Sequence, residues 1–158
     1  MADQEPVSPQ SGRGSRDVGF RAWLAMNDYL LECEFLDGDV TGMPDEPYSE
    51  AGLRVAEAEM LRRFSGIDDA LASANREMFD KFIRFVGAAF VNGLGFQWTN
   101  KPAGHDDGKA YIAVEMPSID TQLSVSSLVT AAAKRRTGDE WAFVYRNMRE
   151  SAAAQQSD

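Results

Sequence analysis

The sequence predicts an α+β fold of about five helices packed on a small antiparallel sheet that is built on one β-hairpin. Apolar residues recur at three- and four-residue steps in several long stretches, which is the pattern of helices with one buried face. Polar and apolar residues alternate near positions 96–99 and 110–116, which is typical of half-buried strands. The residues between these two runs are turn formers and charges, so we expect a hairpin.

The first two helices are predicted from their end signals. Helix one should run from Val18 to Leu36, with Gly38 as its stop. Ser49 should cap helix two, because a serine oxygen can accept a hydrogen bond from the N–H groups of a first turn. The pair Ser65-Gly66 should end that helix.

Helix three is expected to start near Asp68 or Ser73 and to end at Asn92-Gly93, a pair suited to a left-handed cap. The small residues 87–89 within it would let another element approach closely.

The segment after helix three should form the hairpin and the last two helices. In the second strand, alternation places Ile112 and Val114 in the core and Glu115 outward. Ser124 and Asp139 are expected to cap the two closing helices.

The domain is expected to span residues 18–150. Residues 1–17 are rich in Ser, Gly, Pro and charge, so we expect a disordered tail, and residues 151–158 should fray. No apolar run approaches the roughly 20 residues of a membrane span, and residues 1–17 lack the apolar stretch of a secretory signal. The lone Cys33 excludes an intrachain disulfide and suits a reducing compartment. We therefore expect a cytoplasmic protein that does not contact membranes.

The charge is acidic and unevenly distributed. The net charge is −9, which argues against a nucleic-acid partner. Between Arg21 and Arg54 the chain carries eight carboxylates and no Lys or Arg. We expect an acidic surface patch that binds another protein with a basic surface. The predicted partner-binding residues are Asp28, Glu32, Asp37, Asp39, Asp45, Glu46 and Trp98.

One stretch resembles half of a calcium-binding loop. Residues 37–42 place oxygen-bearing side chains at the first, third and fifth positions and Gly42 at the sixth. The twelfth position, which should supply a bidentate Glu, is Tyr48. A solvated acidic loop is therefore the better interpretation, and we expect no metal or other cofactor.

The weak candidates for a metal or for catalysis are His105, Asp106 and Asp107, which include the only histidine. They are consecutive in a loop between two glycines, so a polar turn is favoured over a metal site. Cys33 lies among apolar residues without a nearby base, which favours a packed thiol over a nucleophile.

Several segments between Phe82 and Met148 together resemble small uncharacterised bacterial α+β proteins. They comprise a Val-Gly-small-small-Phe helical turn, a Gly-x-x-Trp strand, a second strand and a pair of closing helices. The matching residues are 86–90, 95–98, 110–116, 124–134 and 141–145. Some proteins of this kind are thought to be immunity partners of bacterial toxins, so the resemblance implies a protein-binding role.

Three hypotheses follow from the sequence. The first is a non-enzymatic binding protein, for example an immunity-type inhibitor of a basic bacterial toxin. The second is a small metal-dependent enzyme that uses the His105 loop, with Glu115 as a further candidate. The third is a subunit of a phage or secretion assembly, in which the hairpin completes a sheet with another chain. A homo-oligomer is left open.

Overall fold

The computed structural model describes residues 18–100 and 112–157, and it confirms the α+β class. The first helical segment, α1, covers residues 18–39, and its second part, Tyr29–Asp39, is a π-helix. The other helices are α2 (Glu50–Arg63), the single turn α3 (Ile67–Ala70), α4 (Arg76–Leu94), α5 (Val125–Arg135) and α6 (Glu140–Ser157). The strands are β1 (Gln97–Thr99), β2 (Ala113–Met116) and β3 (Thr121–Ser124), and 3₁₀ turns cover Ser73–Asn75 and Pro117–Ile119.

Helix α4 lies at the centre of the fold. It contacts the π-helical part of α1, the helices α2, α5 and α6, and the strands β1 and β2. All of residues 84–90 are buried. The aromatic side chains Phe82 and Phe85 both pack on Phe35 of α1, with ring centroids 5.3 Å and 5.1 Å from it. The core is therefore built around one helix that is covered on most of its surface.

The predicted end of helix one was wrong. Helical structure continues past Leu36 and Gly38 to Asp39, and Val40 is the first extended residue. The Val40 N–H donates to the Phe35 carbonyl at 2.9 Å, a bond to the fifth residue back along the chain. This bond closes the last π-helical turn, and both Phe35 and Val40 are buried.

Local signals predicted the starts of α2 and α5 correctly, but they did not predict the end of α4. Ser49 caps α2, since its hydroxyl oxygen accepts from Gly52 N–H at 3.1 Å, and Ser124 caps α5 in the same way. The predicted third helix, which is α4 in the structure, does not end at Asn92-Gly93. It continues to Leu94, and Gly95 adopts the left-handed conformation with φ of 85°. Two glycines were available, and the second one ends the helix.

The sheet has one strand more than the predicted hairpin. Among the described residues its order is β1-β2-β3, and both pairs are antiparallel. A 3₁₀ turn that ends at Asp120, with φ of 51°, brings β3 back along β2, so that Val114 lies opposite Leu123. Ala113 and Val114 are both fully buried, so β2 is covered more completely than strict alternation predicts.

The N-terminus of α6 is capped from another helix. We expected Asp139 to cap it, but the Asp139 carboxylate pairs with Arg54. The buried carboxylate of Glu57 on α2 accepts the backbone N–H groups of Glu140 and Trp141 at 3.1 Å and 2.9 Å. The helix then continues to Ser157, past residue 150, where we expected the domain to end. No helix in the described part of the chain is both long and apolar enough to cross a membrane.

Candidate protein-binding surface

The outward face of α1 combines carboxylates with exposed apolar side chains. Asp28, Tyr29, Glu32, Cys33 and Asp37 are all exposed. The prediction that the Cys33 thiol is packed was therefore wrong. Tyr29 has 54% of its surface accessible, which leaves its ring available as a contact. Large exposed apolar side chains in the described residues are concentrated on this helix. Those on α1 are Val18, Met26 and Tyr29, and those elsewhere are Leu71 and Phe143.

The acidic segment, residues 28–50, contains the eight carboxylates between Arg21 and Arg54. Some of these carboxylates are neutralised by basic side chains of the same chain. Lys81 of α4 binds Glu34 at 2.7 Å and Asp39 at 2.8 Å. Burial would lower the pKa of Lys81, but its hydrogen bonds with Asp39 and Glu34 outweigh that effect and raise the pKa. The predicted binding residue Asp39 therefore has a basic partner within the chain, because a lysine distant in sequence folds against it.

Glu50, the last carboxylate of the segment, is also neutralised. It accepts from Arg146 at 2.7 Å and from Arg149 at 2.8 Å, both on α6, and from Arg54 at 3.1 Å. Burial alone would raise the pKa of Glu50, but the hydrogen bonds from Arg149, Arg146 and Arg54 lower it. This cluster attaches the start of α2 to α6.

The remaining five carboxylates of the segment stay exposed. No ion pair within residues 18–100 and 112–157 involves any of them. Burial raises the pKa of Tyr48, and the charges of Glu32 and Asp28 raise it further. The acidic patch is therefore smaller than the sequence segment. Its residues are Asp28, Glu32, Asp37, Asp45 and Glu46.

A buried polar network attaches α1 to α4. The Arg84 guanidinium, 5% exposed, donates to Asp80 at 2.6 Å, to the Trp23 carbonyl at 2.6 Å and to Asn27 at 2.8 Å. It also lies over the Trp23 ring, 4.1 Å from the centroid. The Trp23 indole N–H completes the network by donating to Asp80 at 2.8 Å. These bonds hold the first turns of α1 in place.

Trp98, the aromatic residue predicted to bind a partner, is half-buried. Its indole packs directly on Gly87 of α4, where any side chain would overlap the ring. Its edge contacts Trp23, with ring centroids 5.3 Å apart. This packing confirms that the small residues of α4 allow a close approach. The ring helps to support α1, and a role in partner binding stays a prediction.

A groove of about 290 Å³ lies between α1 and α4. Its lining combines an apolar residue with carboxylates and one lysine. The lining residues are Leu30, Glu34, Glu77, Asp80 and Lys81. Lys81 binds Glu34 and Asp39, and Arg84 binds Asp80. These ion pairs reduce the negative charge that the carboxylates would otherwise give to the groove.

Of the catalytic and metal candidates in the enzyme hypothesis, the structure describes only Glu115. His105, Asp106 and Asp107 lie outside the described residues. Among the described residues, no group of three or more His, Cys, Asp or Glu side chains could hold a metal ion. Glu115 is half-buried, and it lies opposite Gln97 and Gln122 on the neighbouring strands.

Comparisons with protein-family models, with curated proteins and with solved structures found no match to this chain.

Proposed function

We propose that this chain is a cytoplasmic protein that binds a basic protein partner through the outward face of α1 and the loop that follows it. One concrete form of this function is the inhibition of a basic bacterial toxin. The proposal depends on one observation, namely that Asp28, Glu32, Asp37, Asp45 and Glu46 are exposed and outside every ion pair of the described residues. The bonds from Lys81 and Arg84 hold the helix that carries three of these acids.

The chemistry of the surface favours a cationic protein over a small ligand. Unpaired carboxylates attract a basic partner over distances of about 10 Å at 0.1 M salt, which raises the rate of association. Tyr29 adds an aromatic contact, a residue type that often contributes strongly to binding energy at protein interfaces. Exposed Cys33 is a free thiol, which fits a reducing compartment.

The test uses affinity capture from lysate of the source cell, followed by mass spectrometry. The full chain should retain a basic protein at 50 mM salt and lose most of it at 300 mM. The triple variant Asp28→Asn, Glu32→Gln, Asp37→Asn should fail to retain it. A control variant with the same charge change elsewhere, Asp68→Asn, Asp120→Asn, Glu150→Gln, should retain it like the natural chain.

Co-expression then tests the inhibitor function directly. If the captured protein slows growth, the natural chain should restore growth and the triple variant at residues 28, 32 and 37 should not. Equal capture by the two triple variants would contradict the proposed surface. A captured protein that is harmless alone would contradict the toxin-inhibitor form of the proposal.

A further inference from the structure

The π-helical part of α1 is unusually long. It covers the 11 residues of Tyr29–Asp39, whereas π-helical hydrogen bonds generally occur as single turns within an α-helix. A π-helix rotates by about 82° per residue and an α-helix by about 100°. Residues five apart therefore lie about 50° apart on a π-helix and about 140° apart on an α-helix. Spacings of five residues distinguish the two forms.

One pair of residues with this spacing requires the π form. Glu34 and Asp39 both bind the Nζ of Lys81, at 2.7 Å and 2.8 Å. On an α-helix Asp39 would lie about 140° from Glu34 and would point away from α4. Val40 follows in an extended conformation, and its N–H donates to the Phe35 carbonyl at 2.9 Å, five residues back. The Asp39 carbonyl is held as well, since it accepts from Arg63 at 2.7 Å.

A second pair with the same spacing lies on the proposed binding surface. Glu32 and Asp37 are both exposed, and Asp28 precedes Glu32 by four residues. On a π-helix Glu32 and Asp37 lie about 50° apart, whereas on an α-helix they would lie about 140° apart. Asp28, which directly precedes the π segment, lies about one turn before Glu32. The π form therefore aligns these carboxylates into a single row.

We propose that Lys81 is a positioning residue that holds α1 in the π form and thereby aligns Asp28, Glu32 and Asp37 into one row for a basic partner. The lysine holds two carboxylates that only the π form can present together. Its own charge is absorbed by those two carboxylates, so it leaves the row unneutralised. The role of the row as a binding site depends on the proposed function, whereas the control of the helix form does not.

The test is made on the full chain in solution, labelled with ¹⁵N and ¹³C. NMR couplings across hydrogen bonds identify which carbonyl accepts from each N–H. In the natural chain the Val40 N–H should couple to the Phe35 carbonyl, and in Lys81→Met it should lose that coupling or couple to Leu36 instead. Exchange of the Val40 N–H should become roughly tenfold faster, as for a local opening that is an order of magnitude more populated.

Matched variants separate this effect from a general loss of charge or of folding. Lys81→Arg should keep the Phe35 coupling, because it retains the cation. Lys134→Met removes an exposed lysine of α5 and should leave Val40 unchanged. If Lys81→Met does not fold, Glu34→Gln and Asp39→Asn each remove one of the two contacts and should each accelerate Val40 exchange.

Two results would overturn the inference. One is coupling of Val40 to Leu36 in the natural chain, and the other is an unchanged Phe35 coupling and exchange rate in Lys81→Met and in both carboxylate variants. Partner capture is measured separately. If the helix form changes as expected but neither the natural chain nor the Lys81 variants capture a basic protein, the proposed function fails while the control by Lys81 stands.

Discussion

The replacement of Glu57 by Ala tests whether a buried carboxylate on α2 holds the start of α6. Glu57 is fully buried, and its two oxygens accept the Glu140 and Trp141 N–H groups. The first N–H groups of a helix have no partner within the helix, so removing the carboxylate leaves two donors unsatisfied. Each such donor costs about 1–3 kcal/mol, and the vacated space adds to this cost.

We expect Glu57→Ala to lower the free energy of unfolding by about 3–5 kcal/mol, a large fraction of the 5–15 kcal/mol typical of a domain. Urea unfolding followed by tryptophan fluorescence measures this value, and Trp141 reports directly on the affected turn. The control is Glu59→Ala on the same helix. Glu59 makes ion pairs with Arg62 and Arg63, whose side chains are 69% and 30% exposed, so its loss should cost about 1 kcal/mol or less. Equal losses in the two variants would refute the capping role.

The pH dependence gives a second test of Glu57. Burial raises the pKa of Glu57, the two backbone hydrogen bonds lower it, and the charges of Glu140 and Asp139 raise it further, so that the net shift of the pKa is upward. A raised pKa in the folded state means that the folded chain holds the proton more tightly than the unfolded chain. The stability advantage of the natural chain over Glu57→Gln should therefore be largest in acid and should shrink as the pH rises through the folded-state pKa. An advantage that grows with pH would contradict this reasoning.

Two further substitutions have effects of predictable sign. Gly87→Ala should destabilise by about 1–3 kcal/mol in thermal unfolding, because the new methyl group would overlap the Trp98 indole, whereas Gly19→Ala, which faces open space, should not destabilise. Glu50→Gln should cost about 1 kcal/mol at neutral pH by weakening the arginine cluster. Because the pKa of Glu50 is lowered in the folded chain, this contribution is present above the unfolded-state pKa and is lost as the pH falls through the folded-state pKa, so the two chains should converge in acid.

The parts of the fold that sequence predicted correctly are those specified by neighbouring residues. Ser49 and Ser124 cap helices through bonds to residues only three positions away, so the signal lies within a single turn. The hairpin pairing of Trp98 with Val114 follows from alternation in the two strands. These interactions are local or periodic, and both properties can be read directly from the chain.

The parts that sequence missed depend on distant residues or on a different helical period. Asp139 carries a good capping side chain, yet Glu57, more than 80 residues earlier, accepts the α6 N–H groups instead. The π form of α1 does not follow from the apolar pattern, because its buried residues Leu31 and Phe35 are four apart and would lie on one face of either helix form.

The third strand was missed for a local reason. Thr121 and Gln122 are polar, and only Leu123 in the strand is a large apolar residue, so the run has little strand character by itself. Its pairing follows from the turn before it, in which Asp120 adopts a left-handed conformation that aspartate tolerates. The candidate surface was limited in the same way, because Lys81, Arg146 and Arg149 neutralise carboxylates from far along the chain.

The acidic segment contains carboxylates that are ion-paired within the chain and others that are exposed, and this difference relates partner binding to stability. Lys81 and the arginine cluster at Glu50 hold the two ends of the loop 40–49, so its exposed acids are anchored on both sides. Exposed like charges that are held close together repel one another and destabilise the folded chain. The triple variant at Asp28, Glu32 and Asp37 should therefore raise the melting temperature of the free chain while it weakens partner capture. If these carboxylates serve binding rather than stability, their replacement should produce both the higher melting temperature and the weaker partner capture. A triple variant that melts at a lower temperature than the control triple variant would indicate that the carboxylates stabilise the fold.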